Sequence, residues 1–181
     1  MDTLIFVIGE SASRNYMEIY GSYLKNTPYM QKIKEEGNLF AFENVISSES
    51  LTAISIPNML TFKNYEEKKP WYQCSNLISI LKKAGYETYW LSNQSKNETV
   101  GRVFSSLAGS SFFAEDFTKN QEIYDEILIQ KGLEIVKDTK KKAIFFHLSG
   151  SHNSYVKRYP ENWNIDTIET IRGNQKEKIK K

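Results

Sequence analysis

The sequence has a single cysteine, Cys74. An intramolecular disulfide is therefore impossible, and a multi-cysteine metal site is excluded. This scarcity does not fix a compartment, because extracytoplasmic domains can lack disulfides. Histidine is almost as scarce, with only His147 and His152. No stretch reaches the roughly 18 apolar residues that a membrane-spanning helix needs. The run Leu4-Ile5-Phe6-Val7-Ile8 is too short for a signal-peptide core and has no basic leader. An excess of one charge is also lacking, since 24 Lys and Arg face 22 Asp and Glu. A nucleic-acid binder usually shows a strongly basic face, so no nucleic-acid partner is expected. Internal repeats and low-complexity blocks are absent. What remains is a chain of 181 residues, 40% hydrophobic, 25% charged and 13% aromatic. That is enough for one domain with a core of its own.

Three apolar runs read as strands: Leu4–Ile8, Glu87–Leu91 and Ala143–Leu148. The first and third lack clean alternation, the pattern of strands covered on both faces in a parallel sheet. Leu39–Val45 is a weaker fourth candidate. Helical patterns lie between them. Thr27–Glu36 has Pro28 in its first turn and Gly37 after it. Ser75–Ala84 puts Leu77, Ile78, Leu81 and Ala84 on one face, and Gly85 ends it. Gln121–Asp138 carries Ile123, Tyr124, Ile127, Leu128, Ile135 and Val136 at helical spacing. Strands alternating with helices predict an α/β fold, a three-layer αβα sandwich with a mostly parallel sheet. Ligands in such sheets bind at the carboxyl ends of strands.

Four polar groups follow strand ends or open a helix. Glu10, in Gly9-Glu10-Ser11-Ala12-Ser13-Arg14, can ligate a metal or substrate, or merely solvate a loop. Ser47–Leu60 is dense in hydroxyls and precedes Ile56, Met59 and Leu60 at helical spacing. A hydroxyl there suits covalent phosphoryl chemistry, because free N–H groups and the helix dipole stabilise the added anion. Metal coordination would make it a usable nucleophile. A plain N-cap Ser or Thr is the commoner use of such a residue. His152 follows a Gly-Ser turn and suits metal, phosphate or proton-transfer work, whereas His147 lies inside an apolar run and reads as a packed core residue. Ser92–Asn97 is a polar loop able to contact an anion through Lys96 and its amides, or to be simply solvated.

Five motifs in order resemble the phosphoethanolamine transferases of the alkaline phosphatase/sulfatase superfamily, a family that includes the colistin-resistance enzymes acting on lipid A. They are Val7-Ile-Gly-Glu-Ser-Ala-Ser-Arg14 with Asn26-Thr27-Pro28; Thr52-Ala-Ile-Ser-Ile-Pro57; Ala84-Gly85-Tyr86 with Trp90 and Asn93; Tyr124-Asp125-Glu126; and His147-Leu-Ser-Gly-Ser-His152 with Arg158-Tyr159-Pro160. The resemblance implies an alkaline phosphatase/sulfatase-like fold. It makes Glu10 a zinc ligand and Thr52 both zinc ligand and nucleophile, carrying phosphoethanolamine in a covalent intermediate. It has His152 bind the phosphate or a second zinc, and Asn93, Gln94 or Lys96 contact the donor's phosphate. The sulfatase branch would need Cys or Ser within Cys/Ser-x-Pro-x-Arg, which the sequence lacks, so Thr52 favours a transferase.

Departures from the family shape the remaining expectations. Family members carry cysteines flanking the nucleophile segment, where Ser48 and Asn58 stand here. The family's Asp-His-Gly-Glu motif, which supplies two further zinc ligands, does not occur in the sequence. Residues 1–160 are thus expected to be the N-terminal part of a catalytic domain, and 161–181 a polar tail leading to the rest. The expected partners are a phosphatidylethanolamine-like phospholipid donor and a cell-envelope glycan or lipid acceptor. The expected place is the periplasmic face of the inner membrane, reached through a separate N-terminal membrane domain. Glu10 and Thr52 give two ligands where catalytic zinc generally takes three, so weak or no turnover is expected of the chain alone. Alternatives are a phosphoglycerol transferase or phosphatase of the same superfamily, or a non-catalytic remnant that self-associates through open sheet edges.

Overall fold

The apolar runs pair into one parallel sheet. A computed structural model describes residues 2–64, 66, 68–117, 123–152 and 157–160. Its strands are β1 (Thr3–Ile8), β2 (Glu87–Ser92), β3 (Ser110–Phe113) and β4 (Lys142–His147), and its helices are α1 (Pro28–Glu35), α2 (Thr52–Leu60), α3 (Leu77–Lys83), α4 (Thr99–Leu107) and α5 (Glu126–Ile135). The strand order is β1-β4-β2-β3. All three pairings are parallel. The chain forms two compact units, one of Met1–Ser11 with Ile46–Arg158, the other containing Ala12–Val45.

Strand alternation divides the first unit's core between the two faces of the sheet. Phe6, Ile8, Trp90, Ala143 and Phe145 face α2, α3 and α4 through Ile56, Leu60, Ile78, Leu81 and Phe104. Phe6 stacks on Phe145 at 4.5 Å, and Trp90 stacks on Phe104 at 5.9 Å and on Phe145 at 6.1 Å. The opposite residues Leu91 and Ile144 pack with Leu128 of α5. These are the layers of an αβα sandwich, as the alternation of elements predicts. At β1 the second face is open: Ile5 and Val7 are 57% and 62% exposed. No helix among the described residues is long and apolar enough to cross a membrane.

The second unit rests on the Asn26-Thr27-Pro28 motif. Asn26 Oδ1 accepts from Glu18 N at 3.2 Å, and its amide donates to the Tyr16 carbonyl at 2.7 Å. Thr27 Oγ1 accepts from Ile19 N at 3.1 Å. Pro28 then opens α1, where its missing N–H costs nothing.

Sequence and structure differ at several elements. Leu39–Val45 is not a strand. Phe40 and Phe42 meet edge to face at 4.8 Å and are exposed, and the Glu43 carbonyl accepts from Arg14 instead of from a ladder. Helix α4 and strand β3 escape the sequence reading. Gly101, Ser105 and Ser106 blur the helical pattern of α4, and β3 is a four-residue edge strand with only Phe113 buried. The helix expected over Gln121–Asp138 runs from Glu126 to Ile135. Gln121 and Glu122 lie outside the described residues, as does the tail 161–181. Asp138 instead accepts from Lys140 N at 3.0 Å and pairs with the buried Lys142 ammonium.

Helix α5 approaches the sheet at Gly132, where a Cβ would stand 2.5 Å from Phe146 Cζ. An exposed helical Gly→Ala change stabilises by about 1 kcal/mol. Here overpacking reverses the sign. Gly132→Ala is expected to destabilise by about 1–2 kcal/mol, read as a lower urea midpoint at unchanged m-value.

Candidate active site at the carboxyl ends of β1 and β4

Parallel pairing of β1 with β4 sets Ile8 opposite His147. The register continues past both strands, with Leu148 N donating to the Ile8 carbonyl at 3.0 Å and Ser151 N to the Glu10 carbonyl at 2.9 Å. The turn Ser149–His152 therefore folds back over Glu10. Gly150 makes this approach possible. It has φ +51°, and a Cβ there would lie 2.8 Å from the Glu10 carbonyl oxygen.

Thr52 meets Glu10 from the other side. It is the first residue of α2, with Leu51 as the N-cap, so it is not the cap that its residue type suggests. Its hydroxyl donates to Glu10 Oε2 at 2.8 Å. Ser11 Oγ donates to Glu10 Oε1 at 2.9 Å from a residue held at φ +53°. Backbone strain of this kind collects at functional sites. Leu51 provides no side-chain cap, which leaves first-turn N–H groups available to an anion. Behind Thr52, Ser47 Oγ meets Ser55 Oγ at 2.8 Å. Asn58 Nδ2 donates to Ser48 Oγ at 3.4 Å, so the positions of the family's cysteines are in contact here through a hydrogen bond.

His152 sits exposed on the turn, with its N–H on the Ser149 carbonyl at 3.2 Å. Arg158 straps the turn by donating from Nε to the His152 carbonyl at 3.3 Å and from Nη1 to Ser149 Oγ. Asn93 and Gln94 lie beneath it. Asn93 Nδ2 donates to Asp125 Oδ1 at 2.8 Å and to the Ile123 carbonyl at 3.3 Å, and Gln94 Nε2 donates to the Leu148 carbonyl at 2.9 Å. Lys96 is turned elsewhere. Its ammonium pairs with Asp116 and lies 5.4 Å from the Phe113 ring centroid. Among the sequence candidates, Glu10 and Thr52 thus touch, His152 shares their rim, Asn93 and Gln94 support the turn, and Lys96 stands apart.

Three residues join the site without having been assigned a part in it from sequence. Asp125 accepts from Asn93, from Ser149 N at 2.8 Å and from Gly150 N at 2.9 Å. Its Tyr-Asp-Glu motif is visible in the sequence, but only the fold shows where the carboxylate points. Glu98 comes within electrostatic reach: burial pushes its carboxyl above the usual range, His152 opposes this, and the carboxylates of Glu10 and Glu115 reinforce it. His147 is 1% exposed, with Nδ1 3.3 Å from Ser92 Oγ and its ring centroid 5.4 Å from that of Trp90. Its Nε2 has no hydrogen-bond partner among the described residues. Burial pulls its pKa down to about 4, against the opposing pull of Glu10 and Asp125.

Zinc is the metal that the resemblance implies. The Glu10 carboxylate and Thr52 hydroxyl offer two oxygen donors in contact, chemically suited to one side of such an ion. Among the described residues no cluster of three or more His, Cys, Asp or Glu could hold a metal. The residues present fit zinc as part of a ligand set.

A carboxylate and a helix-terminal hydroxyl meeting at the strand ends of a parallel sheet define the class as α/β, with its candidate site at the carboxyl edge of the sheet. The chain belongs to the sulfatase family, whose profile matches residues 2–174. It is 34% identical over 166 residues to phosphoethanolamine transferase EptC of Escherichia coli, covering 88% of this chain and 29% of that protein. It is 35% identical over 168 residues to phosphoethanolamine transferase CptA of Salmonella typhimurium, with the same coverages of 88% and 29%. Among solved structures, the C-terminal periplasmic domain of E. coli EptC in complex with Zn superposes with a TM-score of 0.80 at 31% identity, over 92% of this chain and 50% of that one. The chain thus spans under a third of the length of these curated relatives.

His147 makes stability pH-dependent in a defined window. Its folded pKa of about 4 lies below the ordinary value of 6.5. Between these values the unfolded chain binds the proton and the folded chain does not, so stability is lost as pH falls through the window. The expected loss between pH 7 and pH 5 is about 2 kcal/mol, and His147→Gln should remove most of it in paired urea titrations.

Proposed function

We propose that this chain is part of a zinc-dependent phosphoethanolamine transferase that moves phosphoethanolamine from a phospholipid to a cell-envelope acceptor. The observation that carries the reading is the 2.8 Å hydrogen bond from Thr52 at the start of α2 to Glu10 beyond β1. Supporting it are the named transferase relatives and the Zn complex of the EptC domain. The periplasmic setting of the solved EptC domain supports the same setting here, at the outer face of an inner membrane.

Glu10 and Thr52 would hold the zinc, which when bound supplies positive charge that lowers the hydroxyl pKa and neutralises phosphate oxygens. Thr52 Oγ1 forms the new bond to the donor's phosphorus, and the bond from phosphorus to the diacylglycerol oxygen breaks. The threonine proton passes by way of Glu10 Oε2 to that leaving oxygen, so diacylglycerol departs as the alcohol and Glu10 ends as the carboxylate. The α2 N-terminus faces the phosphate of the resulting phospho-threonine. An acceptor hydroxyl then attacks the same phosphorus, the bond from phosphorus to Thr52 Oγ1 breaks, and the proton given up by the acceptor restores the threonine hydroxyl. His152 would bind the phosphate on the rim. Asn93 and Gln94 would contact the donor's phosphate through side-chain amide N–H groups that turn from their present acceptors, or act through the turn that they support, and Lys96 only after leaving Asp116.

Two oxygen ligands hold zinc weakly, so weak turnover is proposed for the chain by itself. A second reading, self-association without catalysis, has in its favour the position of β1 at the sheet edge among the described residues and the exposed Ile5 and Val7.

Incubation with zinc and a short-chain phosphatidylethanolamine, followed by peptide mass spectrometry, separates the readings. Phosphoethanolamine on the Thr52 peptide, absent from Thr52→Ala, is expected in low yield. Adducts formed from phosphatidylglycerol instead would favour the phosphoglycerol transferase, and release of free phosphate would favour the phosphatase. No adduct together with concentration-dependent dimers would favour the remnant.

A further inference from the structure

Asp125 occupies the N-cap position of α5, where an aspartate usually accepts from its own helix, yet it makes no such bond. Its carboxylate leaves the helix and takes three donors elsewhere. Oδ1 accepts from Asn93 Nδ2 and Ser149 N, both at 2.8 Å, and Oδ2 accepts from Gly150 N at 2.9 Å. One side chain thereby joins the carboxyl end of β2, the start of α5 and the turn after β4. That turn is the element resting on Glu10, through Gly150 and through the Ser151 N–H. It also carries His152.

We infer that Asp125 is a positioning residue for the Glu10–Thr52 site: its carboxylate clamps the Ser149–Gly150 backbone so that the turn fixes Glu10 for metal binding and presents His152 to the phosphate. The inference rests on the zinc-site reading above. Charge matters to the clamp. Two adjacent peptide N–H groups and an amide converge on one carboxylate, and hydrogen bonds to an ionised acceptor are roughly twice as strong as neutral ones. An asparagine has one acceptor oxygen, so its amide nitrogen would confront either the Gly150 N–H or the two donors on Oδ1. Loss of the clamp frees the turn without touching a zinc ligand, and groups that orient metal ligands typically affect metal affinity 10–100-fold.

Two substitutions separate clamping from helix capping. Asp125→Asn keeps the shape but not the acceptor set. Asp125→Ser keeps a good N-cap but is too short to reach the turn. Amide hydrogen exchange by NMR on the 181-residue chain should show Ser149 and Gly150 exchanging at least tenfold faster in both variants, with the β1–β4 ladder amides unchanged. Zinc affinity by competition with a chromophoric chelator should weaken about tenfold. If Asp125→Asn does not fold, Asp125→Ser decides. Unchanged exchange at Ser149 and Gly150, a uniform rise across the ladder, or unaltered zinc affinity with a freed turn would each overturn the inference. If the unsubstituted chain takes up no zinc, the functional reading falls, while exchange still decides whether Asp125 holds the turn.

Discussion

The parallel ladder between β1 and β4 is the constraint from which the rest of the site follows. Register in a sheet is quantised, since a slip of one residue turns every side chain to the opposite face. With Ile8 opposite His147, Phe6 stacks on Phe145, and the two chain segments leave the sheet side by side. Glu10 and the Ser149–His152 turn then have to share space, and Gly150 is the residue that lets them do so. The buried aromatic stack beneath the rim is what sets this register. In this sense the geometry of the candidate site is an output of core packing.

Much of this was legible in the sequence. The strands at Leu4–Ile8, Glu87–Leu91 and Ala143–Leu148 stood out because burial on both faces demands unbroken apolar runs. Helices α1 and α3 were marked by Pro28 and Gly85 at their ends. The pairing of Glu10 with Thr52 was implied by the family resemblance, and no spacing argument could have supplied it, because 42 residues separate the two. The misses share a physical cause. Strand β3 buries only Phe113, α4 carries a glycine and two serines, and Leu39–Val45 is apolar at its start but packs Phe40 and Phe42 on each other at the surface. Periodicity reports burial, and these segments are barely buried or depend on tertiary partners.

The candidate site divides along the same line. The candidate groups for chemistry were visible as types at strand ends: a carboxylate, a hydroxyl, a histidine. Residues that hold them were not, because their role depends on where a side chain points. Asp125 could have capped α5, and Asn93 could have faced solvent. Family membership places the chain among sulfatase-family domains, while the network beneath the turn holds the candidate site together.

The contact between Asn58 and Ser48 bears on where this fold can mature. A cross-link closing a loop of about ten residues would restrain the unfolded chain by roughly 3 kcal/mol, but only after an oxidant had formed it. A hydrogen bond here contributes about 1 kcal/mol at most and needs no thiol oxidation. The segment that carries Thr52 thus assembles at the same rate and to the same extent whatever the redox poise around it. Its geometry is indifferent to reductants, and its stability relies on the apolar anchors Ile56 and Leu60 beneath the helix.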